Sequence, residues 1–128
     1  MKEKVRVVPK AWGREEIFVN GEEYCGKVMR LQPGWRCSLH YHPTKRETFL
    51  VLGGVMGLEV GDDHVTLVPG EAYTIRPGIH HRFTNMGLRE CVFVEVSTFD
   101  DPEDVVRLAP SEPVMPEVAE VIESPEVV

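Results

Sequence analysis

The chain has 128 residues, of which 42% are hydrophobic and 27% charged, and its formal net charge is -7. This length favours one domain with a hydrophobic core. The absence of any run of about 18 apolar residues excludes a membrane-spanning helix, and the lack of a basic footprint argues against nucleic-acid binding.

The N-terminus and the cysteines indicate the compartment. The opening sequence MKEKVRVVPK is charged and lacks the apolar core of a secretion signal. Three cysteines, Cys25, Cys37 and Cys91, are an odd number without short metal-type spacing, which argues against a disulfide framework. We therefore expect a reduced, cytoplasmic protein.

Short segments rich in β-branched and aromatic residues recur up to Phe99, and turn sequences such as Asn20-Gly21 and Pro69-Gly70 separate them. Many short strands without helical periodicity before Asp100 predict an all-β sandwich or barrel. In chain order, the predicted strands are KVRVV, EEIFV, YCGKVMRL, RCSLHYH, ETFLVL, VMGLEV, HVTLV, EAYTI, HHRFT and CVFVEVSTF.

The sequence changes character after Phe99. Asp101 is a candidate N-cap and Pro102 a candidate first helical residue, which together predict a helix start. Apolar spacing after Pro116 predicts a second short helix. Residues 1–100 carry 13 basic and 13 acidic side chains, whereas residues 101–128 carry one basic and eight acidic ones. We expect a β-barrel over residues 1–100 and an acidic extension over residues 101–128, docked on the barrel or on a partner subunit.

Two histidines lie one residue apart ahead of an apolar strand. Alternate side chains of a strand share a face, so His40 and His42 point to the same side, about 7 Å apart along the backbone. Burying two unpaired imidazoles is costly, and a metal ion would remove that cost. Glu47, past a turn, can supply a carboxylate oxygen. A second cluster, GIHHRFTN, places His81 and Asn85 on one face.

The first cluster resembles a motif of the cupin family. The pattern G-x5-H-x-H-x4-E-x6-G is met by Gly34, His40, His42, Glu47 and Gly54. The order and spacing of all five residues agree with the motif.

The second cupin motif, G-x5-P-x-G-x2-H-x3-N, is met by Gly70, Gly78, His81 and Asn85, with Arg76 in place of the proline. The resemblance implies a double-stranded β-helix, or jelly-roll barrel, to which the helices predicted after Phe99 would add a short C-terminal helical tail. It also implies one divalent metal ion (Zn, Mn, Fe, Co or Ni) held by His40, His42, Glu47 and His81.

The flanking sequences are similar to one branch of the cupins. PKAWGREEIF and VFVEVSTFDDPEDVVRL resemble the opening and close of the cupin domain in bifunctional mannose-6-phosphate isomerases. That branch tends to have Gln at the position of His40, and its Tyr-Gly-Arg segment is missing after Arg107. The resemblance implies a small-molecule ligand, a sugar or sugar-phosphate-like carbonyl compound, and possible isomerase activity.

Three side chains are candidates for catalysis. Glu95, in the last long strand, can be a base or a partner of a ligand histidine. Lys27 occupies a position that is also Lys in the isomerase branch and can hold an anion or a carbonyl oxygen. Lys45, in the turn before Glu47, is either a solvated lysine or a group that reaches the metal.

Two other functions stay open at this point. The same metal group can serve a non-haem iron dioxygenase, or a non-catalytic metal-dependent module that binds a sugar or regulates. We also expect a homodimer, because a small jelly roll has sheet edges that need cover, with VRVV and EEIFV as candidate edges.

Overall fold

A computed structural model describes residues 1–114, and these residues form β-strands without any helix. The strands in chain order are β1 Arg6–Lys10, β2 Gly13–Asn20, β3 Cys25–Leu31, β4 Trp35–Arg36, β5 Leu39–Tyr41, β6 Glu47–Gly53, β7 Met56–Val60, β8 Asp63–Leu67, β9 Ala72–Ile75, β10 His81–Asn85, β11 Cys91–Ser97, β12 Val106–Ala109 and β13 Glu112–Pro113. No helix long and apolar enough to cross a bilayer is found within that range.

The strands form two antiparallel sheets. The first sheet has the order β1-β2-β3-β11-β6-β9. The second follows the path β12-β5-β10-β4-β13, and β7 joins it by pairing with both β10 and β8. The predicted all-β fold of two sheets is therefore confirmed. Of the two predicted edges, β1 is an edge strand, but β2 lies between β1 and β3, so that part of the prediction is wrong.

The core lies between the sheets and follows from strand alternation. On β6, Glu47, Phe49 and Val51 share the inner face and are all buried. Phe49 packs edge-to-face on Phe93 of β11, with ring centroids 5.3 Å apart, and Phe93 packs on Phe83 of β10 at 5.1 Å. Such aromatic contacts add to the free energy gained from burial alone. The acidic member of this row, Glu47, lies where the core meets the candidate site.

Two turns of the cupin motifs require glycine. Gly54 has φ of +82°, and a Cβ there would lie 2.8 Å from the Cα of Cys91. Gly78 also has φ of +82°, and its N–H donates to the carbonyl of His42 at 2.8 Å. Glycine adopts this backbone conformation without steric cost. The second turn thereby joins the loop before β10 to the end of β5.

The predicted helix start at residue 101 is wrong. Asp101 does accept the N–H of Glu103 at its side chain and the N–H of Asp104 at its carbonyl, but only one turn forms. Tertiary contacts outweigh the local signal, because the Asp104 carboxylate accepts the N–H groups of Thr44 and Lys45, each at 2.8 Å. After Asp104 the chain continues in an extended conformation into β12.

The chain after residue 105 adds to the second sheet. β12 pairs with β5, and β13 pairs with β4. Arg82, almost fully buried, donates to the carbonyl of Pro110 at 3.0 Å, and Arg36 bonds to Glu112. The helix predicted after Pro116 lies outside the described residues.

Candidate metal centre and cavity

The structure brings together His40, His42, Glu47 and His81, the four residues that the cupin motifs implicate. One possible ligand atom from each lies within 4.8 Å of the others. His40 and His81 are directly opposite in the β5–β10 pairing, and their ring centroids are 4.4 Å apart. His42 follows β5 and Glu47 begins β6. Three strand ends therefore converge on one point.

Each imidazole is oriented by a backbone carbonyl. His40 Nδ1 lies 2.7 Å from the carbonyl oxygen of Ser38. His42 Nδ1 lies 2.7 Å from that of Asp104, and His81 Nδ1 lies 2.9 Å from that of Ile79. A carbonyl only accepts hydrogen bonds, so Nδ1 carries the proton in all three rings. Nε2 is left with a free lone pair, as a metal ligand requires.

The facing atoms lack hydrogen-bond partners. His81 Nε2 is 2.7 Å from Glu47 Oε1, yet within residues 1–114 neither atom has a hydrogen-bond partner, whereas Glu47 Oε2 faces the Lys45 ammonium at 3.2 Å. The short distance is no hydrogen bond, because a lone pair meets a lone pair. Buried polar atoms left unsatisfied are costly. Three imidazole nitrogens and one carboxylate oxygen fit a divalent transition metal, so this group can hold an ion.

The protonation states suit metal binding. Burial and then the neighbouring His81 lower the pKa of His40 to about 3, so this ring is neutral near pH 7. Burial raises the pKa of Glu47, but the nearby ammonium of Lys45 acts in the opposite direction, and that pKa stays below its ordinary value. The group therefore combines neutral imidazole with an ionised carboxylate.

The three catalytic candidates lie together beside the metal group. Lys45 Nζ is 3.2 Å from Glu47 Oε2 and 3.3 Å from Glu95 Oε2. Lys27 is directly opposite Glu95 in the β3–β11 pairing, with Nζ 3.9 Å from Glu95 Oε2. Glu95 is not the hydrogen-bond partner of a ligand histidine, because backbone carbonyls take that role. Both lysines are buried, so neither is a solvated surface side chain.

Two further carboxylates complete this buried network, which sequence reasoning missed. Asp100 lies 2.8 Å from Lys27 Nζ and 2.9 Å from Lys45 Nζ, and Glu15 lies 3.2 Å from Lys27 Nζ. The side chain of Asn20 fixes Asp100 by donating to its backbone carbonyl and accepting its backbone N–H, each at 3.0 Å. Glu15 could have been found, because alternate residues of β2 point inward and Glu15 is one of them. No sequence signal points to Asp100, since its acidic segment favours a helix start.

The network leaves Glu95 with an unusual proton affinity. Burial, followed by the nearby charge of Glu47, raises the pKa of Glu95 to about 7, although both lysines act to lower it. Four carboxyl groups share two ammonium groups here, so one carboxyl is expected to hold a proton, and Glu95, which is buried and has its pKa raised, is the candidate. A carboxyl that titrates near neutral pH is suited to moving protons.

Asp104 is a third residue that sequence reasoning missed. Its carbonyl orients His42, and its carboxylate accepts the N–H groups of Thr44 and Lys45. One residue therefore fixes a possible metal ligand and the turn that carries Lys45.

A cavity of about 410 Å³ opens onto the metal group and the charged network. Its inner wall includes His40, His42, Glu47 and Glu95, and its apolar wall includes Phe49. This volume suits a small metabolite. The polar groups lie at one end, so a ligand would meet the metal group and Glu95 together.

The remaining histidines and Asn85 lie outside this centre. His64 and His80 are exposed, and His80 stacks on Tyr41 with ring centroids 5.1 Å apart. Asn85 donates to the carbonyls of Leu31 and Arg89 and accepts the N–H of Gly87. These contacts give Asn85 a structural role in a turn.

An antiparallel double-sheet fold with a His/Glu group facing a cavity defines a small β-barrel protein with a candidate metal centre. A family model, described as the cupin domain, matches residues 27–97. The chain belongs to the cupin family.

The relatives include proteins named for sugar chemistry and a β-alanine degradation protein from Pseudomonas aeruginosa, which is 35% identical over 81 residues. The chain is 30% identical over 129 aligned positions to a D-lyxose/D-mannose isomerase from Thermosediminibacter oceani, covering 80% of this chain and 71% of that protein. It is 29% identical to mannose-1-phosphate guanylyltransferase 2 from Escherichia coli O157:H7, covering 80% of this chain. The match spans only 22% of the guanylyltransferase's length.

A solved structure supports the fold. A Klebsiella pneumoniae protein with a double-stranded β-helix domain superposes with a TM-score of 0.65 at 21% identity, covering 73% of this chain and 81% of that one. This likeness concerns the fold alone, and it confirms the predicted double-stranded β-helix.

Proposed function

We propose that His40, His42, Glu47 and His81 bind one divalent metal ion, drawn from Zn, Mn, Fe, Co and Ni. The single observation that carries this proposal is the convergence of free imidazole nitrogens on one unsatisfied oxygen of a buried carboxylate, Glu47 Oε1. A cation between these atoms would replace their mutual repulsion by coordination.

We further propose that the protein binds a small sugar or sugar-phosphate-like carbonyl compound and acts as an isomerase. When bound, the metal ion would hold adjacent oxygens of the open-chain substrate and polarise its carbonyl. The Glu95 carboxylate would take the proton from carbon 2, beside that carbonyl, and deliver it to carbon 1, while the hydroxyl proton of the carbon-2 oxygen passes to the carbon-1 oxygen, so that the aldose becomes the ketose. Lys27 and Lys45 would hold Glu95 in place, and Lys45 would link it to Glu47. The similarity to a D-lyxose/D-mannose isomerase supports this choice.

The position of Glu95 favours proton transfer over binding alone. Lys45 Nζ lies within 3.3 Å of both a possible metal ligand and Glu95, so the candidate base is near the metal group without belonging to it. A pKa of about 7 lets Glu95 accept and release a proton near neutral pH.

Deuterium exchange tests this function. Protein loaded with Zn, Mn or Co is incubated with D-mannose, D-lyxose or D-mannose 6-phosphate in D₂O and followed by NMR. We expect exchange at carbon 2 and formation of the ketose. Glu95→Gln should lower the rate by about 10² or more while retaining the metal ion. Ketose formation at an unchanged rate in that variant would contradict the role of Glu95.

A non-catalytic binding module is the second candidate, because both lysines are already paired with carboxylates. Binding of these sugars without exchange at carbon 2 would favour it. Purified protein that contains iron and consumes oxygen with a bound substrate would instead favour a dioxygenase.

We also propose a homodimer formed through the outer face of the first sheet. Phe18, Leu50 and Val96 are exposed there, and Val28 and Val94 lie between them. A contiguous exposed apolar face is typical of an interface.

The three cysteines are buried and unpaired, which agrees with a reducing, cytoplasmic location.

A further inference from the structure

Three basic side chains line the outer part of the cavity and take no part in the metal group or the lysine network. Arg6 and Lys10 belong to β1, and Arg107 belongs to β12. Arg6, Val8 and Lys10 alternate along β1, and all three line the cavity, so one face of this strand forms a wall. Arg6 and Arg107 are exposed, whereas Glu47 at the inner end is buried. The basic residues therefore surround the cavity mouth.

These basic residues lack strong carboxylate partners. Within residues 1–114, neither Arg6 nor Arg107 has an ion-pair partner. Lys10 lies 3.9 Å from Glu15, whose other carboxylate oxygen is 3.2 Å from Lys27. Unpaired surface cations are common, but these three converge on one cavity.

Arg107 lies next to the metal group. It is directly opposite His40 in the β12–β5 pairing, so both side chains point to the same side of the sheet. Directly opposite residues of antiparallel strands have Cβ atoms about 5 Å apart. A ligand that reaches the metal group would therefore pass the Arg107 guanidinium.

Charge is distributed unevenly along the cavity. At the inner end, four carboxyl groups outnumber the two lysines, whereas the three cations at the mouth lie near Asp101 and, for Lys10, at 3.9 Å from Glu15, which Lys27 binds more closely. The Asp101 carboxylate also accepts the N–H of Glu103 in its own turn. A positive potential at a cavity mouth attracts anions, and the guanidinium fork matches the geometry of phosphate and carboxylate.

We propose that Arg6, Lys10 and Arg107 form an anion-binding subsite, and that the ligand of this cavity carries a phosphate or carboxylate group. This group would lie at the end of the ligand remote from the metal group. The inference rests on the proposed function only in that the other end of the ligand meets the metal.

Calorimetric titration of metal-free protein tests the subsite, with inorganic phosphate and malonate as probes. Without metal, anion binding cannot arise from coordination, so failure of the metal proposal leaves this test intact. Wild type is compared with the double variant Arg6→Gln/Arg107→Gln. Arg76→Gln is the matched control, since Arg76 is exposed but does not line the cavity.

We expect saturable binding of at least one anion by wild type, about tenfold weaker or more in the double variant and unchanged in Arg76→Gln. The Nε–H resonances of Arg6 and Arg107 should shift with the same titration. Binding of phosphate only, or of malonate only, supports the subsite and decides which group the ligand carries. No saturable binding by wild type, or equal affinity in the double variant, would overturn the proposal.

Discussion

At the metal group, each histidine is oriented by one backbone carbonyl, and this contact fixes both the rotation of the ring and its tautomer. The carbonyls of Ser38 and Ile79 lie two residues before the histidines they orient, so local strand geometry suffices there. His42 is the exception, because its carbonyl partner belongs to Asp104, far along the chain. The orientation of His42 therefore depends on a segment outside the cupin motifs.

The dependence of His42 on Asp104 predicts an effect on metal affinity. Asp104→Ala removes two hydrogen bonds to the turn after β5 and frees the carbonyl that orients His42. Loss of such supporting contacts typically weakens metal binding about 10- to 100-fold. Competition with a chromophoric chelator measures the affinity. Asp62→Ala, at an exposed turn, is the control and should bind as wild type does. Equal affinities in both variants would refute the positioning role.

Glu95 predicts a specific pH dependence of stability in metal-free protein. Its pKa of about 7 in the folded state exceeds the ordinary value of 4.5, so the folded state binds more protons between these two values. The contribution of Glu95 is therefore present below pH 4.5 and is lost as pH rises to 7. Relative to Glu95→Gln, the free energy of unfolding of wild type should fall by up to about 1.4 kcal/mol per pH unit across this window.

Denaturant unfolding of both proteins at several pH values measures this difference. The pKa values of His40 and His42 are lowered, mainly by burial, so these rings make stability rise with pH over part of the same range. That contribution occurs in both proteins and cancels in the difference. A difference that stays constant from pH 4.5 to 7 would show that Glu95 is ionised throughout.

At the scale of elements, the segment from Asp100 to Val114 closes one side of the cavity. Asp100 binds both buried lysines, Asp104 holds the turn after β5, and β12 and β13 extend the second sheet. Glu112 bonds to Arg36 and does not line the cavity. The segment therefore supports the site with its backbone and two aspartates.

Two truncations test where this support ends. A chain ending at Ala109 loses the Pro110 carbonyl that accepts from buried Arg82, and the bond from the Val114 N–H to the Gly34 carbonyl. We expect its melting temperature to fall by about 5 °C or more. A chain ending at Val114 keeps these contacts and should melt as the full chain does. Equal losses in both truncations would mean that residues 115–128 supply the stability.

The strands and the four possible ligands could be predicted because alternation and motif spacing are local properties of the sequence. The segment DDPED could not be predicted in this way. Its proline and acids favour a helix start, yet the Asp104 carboxylate accepts hydrogen bonds from the N–H groups of a turn some 60 residues earlier in the chain. Contacts at this separation leave no local pattern. The lysine–carboxylate network was found only in part for the same reason, since Asp100 joins it from a loop.

At the scale of the whole molecule, the outer face of the first sheet predicts a dimer. Wild type should sediment at twice 14.5 kDa at micromolar concentration. Val96→Lys places a charge on this face and should give the monomer, because burying an unpaired charge is costly. Thr66→Lys, exposed on β8 of the other sheet, is the control and should remain dimeric. A wild type that sediments only at 14.5 kDa would contradict the proposed interface.

The proposed binding of one divalent ion by His40, His42, Glu47 and His81 underlies the proposed function. Elemental analysis after saturation with metal and removal of excess tests it most directly, in wild type, His42→Ala and the exposed-histidine control His64→Ala. We expect one ion per chain in wild type and in His64→Ala, and none in His42→Ala. Full retention of the ion in His42→Ala, or no ion in wild type, would contradict it.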